Sequence, residues 1–246
     1  MTAIAKALTI LELAGREDSA SLASLIEQTK LPRSTVVRIV GELLDRQYLE
    51  RAERGRYRPG PTVRSLARAS GSDDVATDRA RKELRALMNA TGETAHLAVY
   101  EDGSSVYVDK VDGSHPIRAY TKIGGRSPAY ATATGKALLA WQEAAEIDRI
   151  AARATRYTTA THLGADAIRA EMKRVRRVGY AVNRGEWRDG VWGIAAPLLR
   201  ADGSVLAAIG LSGPEQRIRP RIAGYAALVR DHAARISGAA VGGGRR

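Results

Sequence analysis

Apolar residues recur at helical spacing through most of the first ninety positions, broken once by two short runs of strand character. Ile4, Ala7, Leu8 and Leu11 predict a helix over Ala3–Gly15. Ser21 stands where it would cap a second helix, Leu22–Thr29, that buries Leu22, Leu25 and Ile26. Pro32, tolerated in a first helical turn, opens a third that runs to about Arg46. Val36, Ile39, Val40 and Leu43 form its apolar stripe, with Thr35, Arg38, Glu42 and Asp45 opposite. Tyr48–Arg51 and Arg56–Arg58 then read as short strands around Glu53-Arg54-Gly55, a tight hairpin. Pro59-Gly60-Pro61 punctuates the chain, Thr62–Ala69 is helical again, and Ser70–Asp74 reads as a hinge. The domain boundary is placed across residues 60–76.

Beyond it, Val75–Ala90 is amphipathic, with Ala80, Leu84, Leu87 and Met88 inward and Gly92 as its stop. Alternation predicts antiparallel strands at Thr94–Tyr100 and Val106–Val111 joined across Asp102-Gly103, then a third at Ile117–Ile123. A helix covers Gly135–Trp141, and another, carrying Ile168, Met172 and Val175, ends before Gly179. Strands follow at Tyr180–Asn183, Val191–Leu199 and Val205–Leu211, the last two joined by Asp202-Gly203. A final helix spans about Pro220–Ile236, and the Gly-Gly-Gly-Arg-Arg end is expected to be disordered. The fold class is therefore α+β: a helical module with a hairpin, then an antiparallel sheet with flanking helices.

Composition narrows the chemistry. The chain of 246 residues has no Cys, which removes disulfides, thiolate metal sites and a Cys nucleophile. Its four His stand apart at His96, His115, His162 and His232, without ligand-like spacing, so neither a metal nor a cofactor is expected. The longest apolar runs resemble Val205–Leu211, far short of a membrane span, and Met1–Ala7 lacks signal-peptide character. A cytoplasmic location is the expectation. The net charge of +12 looks like a nucleic-acid signature, but residues 1–60 carry ten basic against eight acidic residues while residues 77–246 carry 27 against 17. Local pattern, not bulk charge, has to carry the argument.

Helix, turn, helix and basic hairpin is the layout of a winged helix-turn-helix. Lys30, Arg33, Ser34, Thr35 and Arg38 sit at or before the start of the third helix, and no acidic residue falls between Lys30 and Gly41. Helix-terminal amides and small hydroxyls bind phosphate, and arginine reads guanine in the major groove. Arg54, Arg56 and Arg58 on the hairpin would reach neighbouring backbone or minor groove. A helical module with solvated arginines, used for protein or RNA contacts, remains the alternative.

Leu31-Pro-Arg-Ser-Thr-Val-Val-Arg38, Leu43-Leu-Asp-Arg-Gln-Tyr-Leu49 and Gly55-Arg-Tyr-Arg-Pro-Gly60 resemble the amino-terminal domain of IclR-family transcriptional regulators. Gly92-Glu-Thr-Ala-His-Leu-Ala-Val99, Val106-Tyr-Val-Asp-Lys-Val111, Ala131-Thr-Ala-Thr-Gly-Lys-Ala-Leu138, Gly179-Tyr-Ala-Val182 and Ile209-Gly-Leu-Ser-Gly-Pro214 are similar to that family's effector domain, in order and spacing. The resemblance implies a winged-helix DNA-binding domain at 1–60, a linker helix and hinge at 61–76, and a GAF-like effector-binding and oligomerisation domain at 77–246. It implies a homodimer or dimer of dimers on a pseudo-palindromic double-stranded operator, repressing, activating or both. The family commonly has Gly where this chain has Lys30, which strains that turn and adds a phosphate-facing charge.

The same resemblance places effector contacts at Ala133, Thr134, Asn183, Gly210 and Ser212. Several relatives carry Asp, Ser and Cys where this chain has Asn183, Gly210 and Gly193, so the pocket has fewer polar anchors. With Trp187 and Trp192 as covers, the reading leans to an aromatic acid or other bulky metabolite over a two-carbon acid. The alternative is that the glycines tighten strand packing and the tryptophans belong to a subunit interface. His96 is read as a hydrogen-bonded sheet histidine rather than a ligand contact, and Lys173-Arg174 with Arg176-Arg177 as a solvated helix face.

Enzymatic readings fail on motif. Gly135-Lys136 lacks both the first glycine, replaced by Tyr130, and the magnesium-binding hydroxyl, replaced by Ala137. Gly210-Leu-Ser-Gly-Pro breaks the serine-hydrolase pattern at its last glycine. No catalytic residue is assigned.

Overall fold

In the computed structural model, residues 2–16, 19–69 and 78–240 are described. The chain divides into two compact units, Met1–Asp73 and Asp74–Arg246. The expected hinge at Ser70–Asp74, the first residues of the helix expected from Val75, and the Gly-Gly-Gly-Arg-Arg end lie outside the described residues.

In the first unit, α1 (Ala3–Arg16), α2 (Leu22–Thr29) and α3 (Arg33–Asp45) enclose Ile10, Ala14, Leu25 and Val36, all fully buried. Burial of such side chains contributes roughly 1.5–3 kcal/mol each, more than any single cap or turn in the unit. The Ser21 hydroxyl accepts from the Ser24 amide at 3.1 Å, capping α2 as its sequence predicts. Lys30 ends α2 in the left-handed region, at φ 55°, with its amide donating to the Ile26 carbonyl. Next, β1 (Leu49–Arg51) and β2 (Tyr57–Pro59) pair antiparallel around a turn in which Arg54 and Gly55 both have positive φ. Tyr57 also exchanges two 2.8 Å backbone hydrogen bonds with Ala20, fastening the hairpin to the segment that leads into α2. α4 (Pro61–Ala69) lies against β1, where Arg64 grips Glu50 at 2.9 Å.

The second unit is built on a six-stranded antiparallel sheet. α5 (Asp78–Thr91) leads into β3 (Thr94–Glu101) and β4 (Ser104–Val111). β5 (Arg126–Pro128), α6 (Ala133–Leu139), α7 (Ala144–Ala152) and α8 (Ala165–Val178) follow. β6 (Ala181–Arg184), β7 (Val191–Leu199) and β8 (Val205–Pro214) complete the sheet, in the order β5-β4-β3-β8-β7-β6. The short α9 (Glu215–Ile218) precedes α10 (Ile222–Ala240).

Alternation along the strands sorts residues by size. Leu97, Val182, Ile194 and Ile209 pack beneath α5 and α10. Ala98, Ala181, Ala195 and Ala208 face α6, α7 and α8. The small face lets α6 come close enough that every one of its residues is buried. It also leaves room for a cavity.

Three expectations need correction. Ile117–Ile123 is not a strand: only its middle alternates, with Ala119 and Thr121 buried around Tyr120 at 73% exposed, while Ile117 and Ile123, on the same parity as Ala119, are exposed at 74% and 45%. β5 pairs only with Ser104–Val106 of β4, and beside the rest of that strand this segment is held by single bonds, such as Lys110 Nζ to the Thr121 carbonyl at 2.9 Å. The helix α7 went unread because only Ile147, Ile150 and Ala151 mark its buried face. The basic run on α8 is only partly solvated. Arg174 forks onto Glu171 at 2.7 and 2.9 Å, and Arg176 donates to the Ala140 and Gln142 carbonyls.

A side chain in the left-handed region costs roughly 1–2 kcal/mol, whereas glycine there costs only extra chain entropy of about 0.4–1 kcal/mol. Lys30→Gly is therefore expected to stabilise the first unit by up to about 1 kcal/mol, raising its melting midpoint by several degrees in the full chain. An unchanged or lower midpoint by circular dichroism would mean that this turn holds no strain.

Candidate functional site

The residues expected to face DNA are distributed unequally. Lys30, Arg33, Ser34 and Arg38 are exposed around the start of α3, and Thr35 is half-buried. Lys30, Arg33, Arg38 and Arg54 have no side-chain partner among the described residues, so their charge is available to an outside anion. The other two hairpin arginines are engaged. Arg56 is half-buried and donates to the Ser19 hydroxyl and carbonyl. Arg58 pairs with Glu50 at 2.6 Å, and the Arg64 and Arg58 guanidiniums hold that carboxyl down at about 2. Sequence reading grouped Arg54, Arg56 and Arg58 together; the structure leaves only Arg54 unengaged.

The second unit holds a cavity of about 40 Å³ on the small-residue face of its sheet, partly open to solvent beside exposed Tyr120 and Arg188. Ala133, Thr134, Asn183 and Ser212 line it, as the resemblance implied. Strand register explains the convergence: Asn183 pairs with Gly193, Gly193 with Ser212, and Ser212 with Thr94, one row across four strands. Gly193 is the one residue of that row without a side chain, and a Cβ there would meet the Leu211 carbonyl at 2.9 Å and lie 3.6 Å from both Ala133 Cβ and Ser212 Cβ, so this glycine too permits close strand packing.

Gly210 does not line the cavity. A Cβ on it would meet Ala195 Cβ and the Ile194 carbonyl at 2.8 Å, so glycine here permits close strand packing. Trp187 lines the cavity, but Trp192 packs against the opposite core, beneath Arg219. Nor does the space suit a ring as it stands. An apolar cavity that takes up benzene measures about 150 Å³, several times this one.

His96, Thr121 and Arg188 also line the cavity and were not expected there. His96 and Thr121 are buried, yet His96 Nδ1 and Thr121 Oγ1 have no hydrogen-bond partner, and neither does Ser212 Oγ. A buried polar atom left unpaired costs roughly 1–3 kcal/mol, and three residues that carry one line this cavity. The hydrogen bond expected of a sheet histidine is weak for His96: the Thr94 backbone is the one group that serves the ring, and Nδ1 has no partner at full hydrogen-bond geometry among the described residues. Its ring stands edge-on to Tyr107 at 5.0 Å, and burial, followed by the Lys110 charge, pushes it down to about 4. It is neutral near pH 7. Its place on the strand face of Thr94 was readable in sequence, but the absence of a partner was not.

Beneath the cavity, fully buried Lys136 donates to Glu186 at 2.5 and 2.7 Å and to the Val182 carbonyl at 2.5 Å. Glu171 stands 3.4 Å from the same ammonium. Burial pushes Glu171 up, but the Arg174 fork and Lys136 outweigh it and hold the carboxyl at about 2. The Glu186 amide donates to Asn183 Oδ1 at 2.9 Å, and Thr161 donates to the Glu186 carbonyl at 2.7 Å. Oδ1 accepts one hydrogen bond here, and the Asn183 amide nitrogen donates to no protein group among the described residues.

A larger, open groove of about 450 Å³ lies on the far side of Trp187. Two of its cations are already paired, Arg126 with Glu101 and Arg149 with Glu146 and Asp102. Its size exceeds that of the smaller cavity, but no residue with an unpartnered buried atom lines it.

The depressed His96 carries a stability consequence. Between about pH 6.5 and 4 the unfolded chain binds a proton that the folded chain refuses, so stability is complete above pH 6.5 and falls with acidification. The loss is on the order of 3 kcal/mol. Urea unfolding of His96→Phe should show a smaller drop from pH 7 to pH 4.5 than the unsubstituted chain. Equal drops would remove His96 as the cause.

Residues 69–238 match the family described as Bacterial transcriptional regulator IclR C-terminal, and residues 3–53 match the IclR helix-turn-helix domain. The chain is 30% identical over 242 residues to the HTH-type transcriptional regulator KdgR of Escherichia coli, covering 96% of this chain and 92% of that protein. It is likewise 30% identical to the E. coli regulator XynR, with 87% of each covered. Among solved structures, an IclR-family regulator from Rhodococcus superposes with a TM-score of 0.62 at 31% identity, covering 96% of this chain and 92% of that one. The fold is shared with an IclR homolog from Microbacterium hydrocarbonoxydans complexed with 4-hydroxybenzoate, at 24% identity, TM-score 0.65, and 98% and 100% coverage. Both units therefore have counterparts in one lineage, and the chain belongs to the IclR family of transcriptional regulators.

Proposed function

We propose that this chain is a one-component switch: its first unit grips a promoter, and a small organic ligand in the cavity of the second unit sets how well the grip holds. The observation that carries the reading is that His96, Thr121 and Ser212, each with a buried side-chain polar atom unpartnered among the described residues, all line one cavity. The relatives named above are regulators, and no catalytic role is assigned to any residue here. That no helix among the described residues is long and apolar enough to cross a membrane agrees with a cytoplasmic site of action.

Lys30, Arg33, Ser34, Thr35 and Arg38 make the principal DNA contacts, and Arg54 reaches the flanking backbone. Arg56 and Arg58 support the hairpin and touch DNA only if they leave Ser19 and Glu50. The protein acts as a homodimer or dimer of dimers, so two copies of α3 read pseudo-palindromic half-sites about one helical turn, ~34 Å, apart. Residues 61–76 are the lever. Ligand alters affinity because it binds the DNA-competent and incompetent arrangements unequally.

Arg38→Ala should weaken operator binding by roughly 1–3 kcal/mol while leaving ligand affinity unchanged. Ser212→Phe should abolish the ligand response and spare basal DNA binding. Electrophoretic shifts on the chain's own upstream region, with a scrambled duplex and a salt series, test both. Binding that ignores sequence, or that does not weaken with salt, would favour a protein- or RNA-binding role.

A further inference from the structure

The open groove beside α7 differs in chemistry from the cavity and is independent of the role proposed for it. We infer that this groove is a second ligand site, one that takes a planar aromatic carboxylate, with its ring against Tyr157 and Trp187 and its carboxylate on Arg153.

The groove is lined from the β3–β4 turn, from β5, from α7 and from the chain that follows α7. Its volume of about 450 Å³ falls among small-molecule sites, roughly 300–1,000 Å³. A single ring needs about 150 Å³, so the groove admits one with substituents.

Charge selects an anion and limits it to one negative group. Three guanidiniums line the groove, Arg126, Arg149 and Arg153, against one carboxylate, Asp102. Two are engaged: Glu101 holds Arg126 at 2.8 Å, and Arg149 reaches Glu146 at 2.6 Å and Asp102 at 2.8 Å. Arg153 caps the end of α7, one turn beyond Arg149. It is exposed and makes no hydrogen bond or ion pair among the described residues. Glu146 does not bond to it, being committed to Arg149 by two hydrogen bonds and to the Tyr100 hydroxyl by a third. One unengaged guanidinium suits one carboxylate, which it grips through two parallel hydrogen bonds. A dianion would ask for a second cation, and both others are already bound.

Rings select a flat body. The chain has nine Tyr, three Trp and no Phe, yet three of those rings line this groove. Tyr130 is fixed at its tip, where its hydroxyl donates to the Thr155 carbonyl at 2.9 Å and accepts from the Thr155 amide at 2.8 Å. Tyr157 leans on it, with centroids 6.1 Å apart and planes 31° apart, and is itself 47% exposed. Trp187 is half-buried. An exposed ring backed by a fixed one is a platform for offset stacking, which a saturated ring of equal size does not exploit.

The test is isothermal titration of the full-length protein with benzoate against three comparators. Benzamide keeps the ring without the charge, cyclohexanecarboxylate keeps the charge without the aromatic ring, and adenosine monophosphate carries a ring on a dianion. Benzoate should bind roughly tenfold tighter than benzamide and about threefold tighter than cyclohexanecarboxylate, and tighter than the nucleotide. Arg153→Gln should weaken benzoate roughly tenfold and Tyr157→Leu about threefold; both positions are exposed, where substitution hardly disturbs folding. Absence of benzoate binding, a comparator that equals or exceeds it, or indifference to both variants overturns the inference. Ser212→Phe separates the two sites, since it fills the cavity and touches no residue of the groove. Benzoate affinity should survive it. If Ser212→Phe abolishes benzoate binding while Arg153→Gln and Tyr157→Leu leave it unchanged, the acid sits in the cavity; the groove inference falls and the effector-site reading stands.

Discussion

The ion pair between Lys136 and Glu186 is the contact on which the second unit's cavity depends. A buried ammonium is tolerable only when it is fully hydrogen-bonded and paired, and Lys136 meets that condition through Glu186, the Val182 carbonyl and nearby Glu171. Lys136 belongs to the helix whose first turn carries Ala133 and Thr134, while Glu186 sits with Trp187 and Arg188 in the loop that follows β6, the strand that carries Asn183. One buried contact therefore joins the roof of the cavity to its rim. Removing either partner would leave a charge stranded in the core, a loss of roughly 3–5 kcal/mol. The constraint also fixes Asn183 indirectly, since the amide of Glu186 selects which end of the Asn183 side chain faces inward.

Much of this architecture is legible in the chain. The helical stripe of Val36, Ile39 and Val40, the cap at Ser21, the stop at Gly179 and the alternation of β7 and β8 all follow from short-range rules, and the structure contains each. The false strand at Ile117–Ile123 shows the limit of those rules. Alternation reports which side chains point inward, but not whether the backbone forms a ladder, and here only single bonds reach β4 beyond the three residues that β5 pairs.

The candidate site was legible only in part, for a related reason. Ala133, Thr134, Asn183 and Ser212 reach the cavity through motifs that resembled a known family. Gly210 did not, because glycine serves two ends, opening space for a ligand or letting strands close, and only the surrounding atoms distinguish them. His96 and Thr121 were missed because an unsatisfied hydrogen bond is a property of three-dimensional neighbours. Arg56 and Arg58 looked equivalent to Arg54 until Ser19 and Glu50 appeared beside them.

The outward residues of α3 contribute little to the core beneath them: Ser34 and Arg38 are exposed, while Val36, Ile39 and Val40 hold the helix in place. Surface changes of this kind usually alter stability by less than about 0.5 kcal/mol. Single substitutions on this face can thus accumulate with folding hardly registering them. The hairpin has no such freedom, because Arg56 and Tyr57 fasten it to Ser19 and Ala20. Sequence drift should accordingly concentrate on the helix's outward face and spare the base of the hairpin.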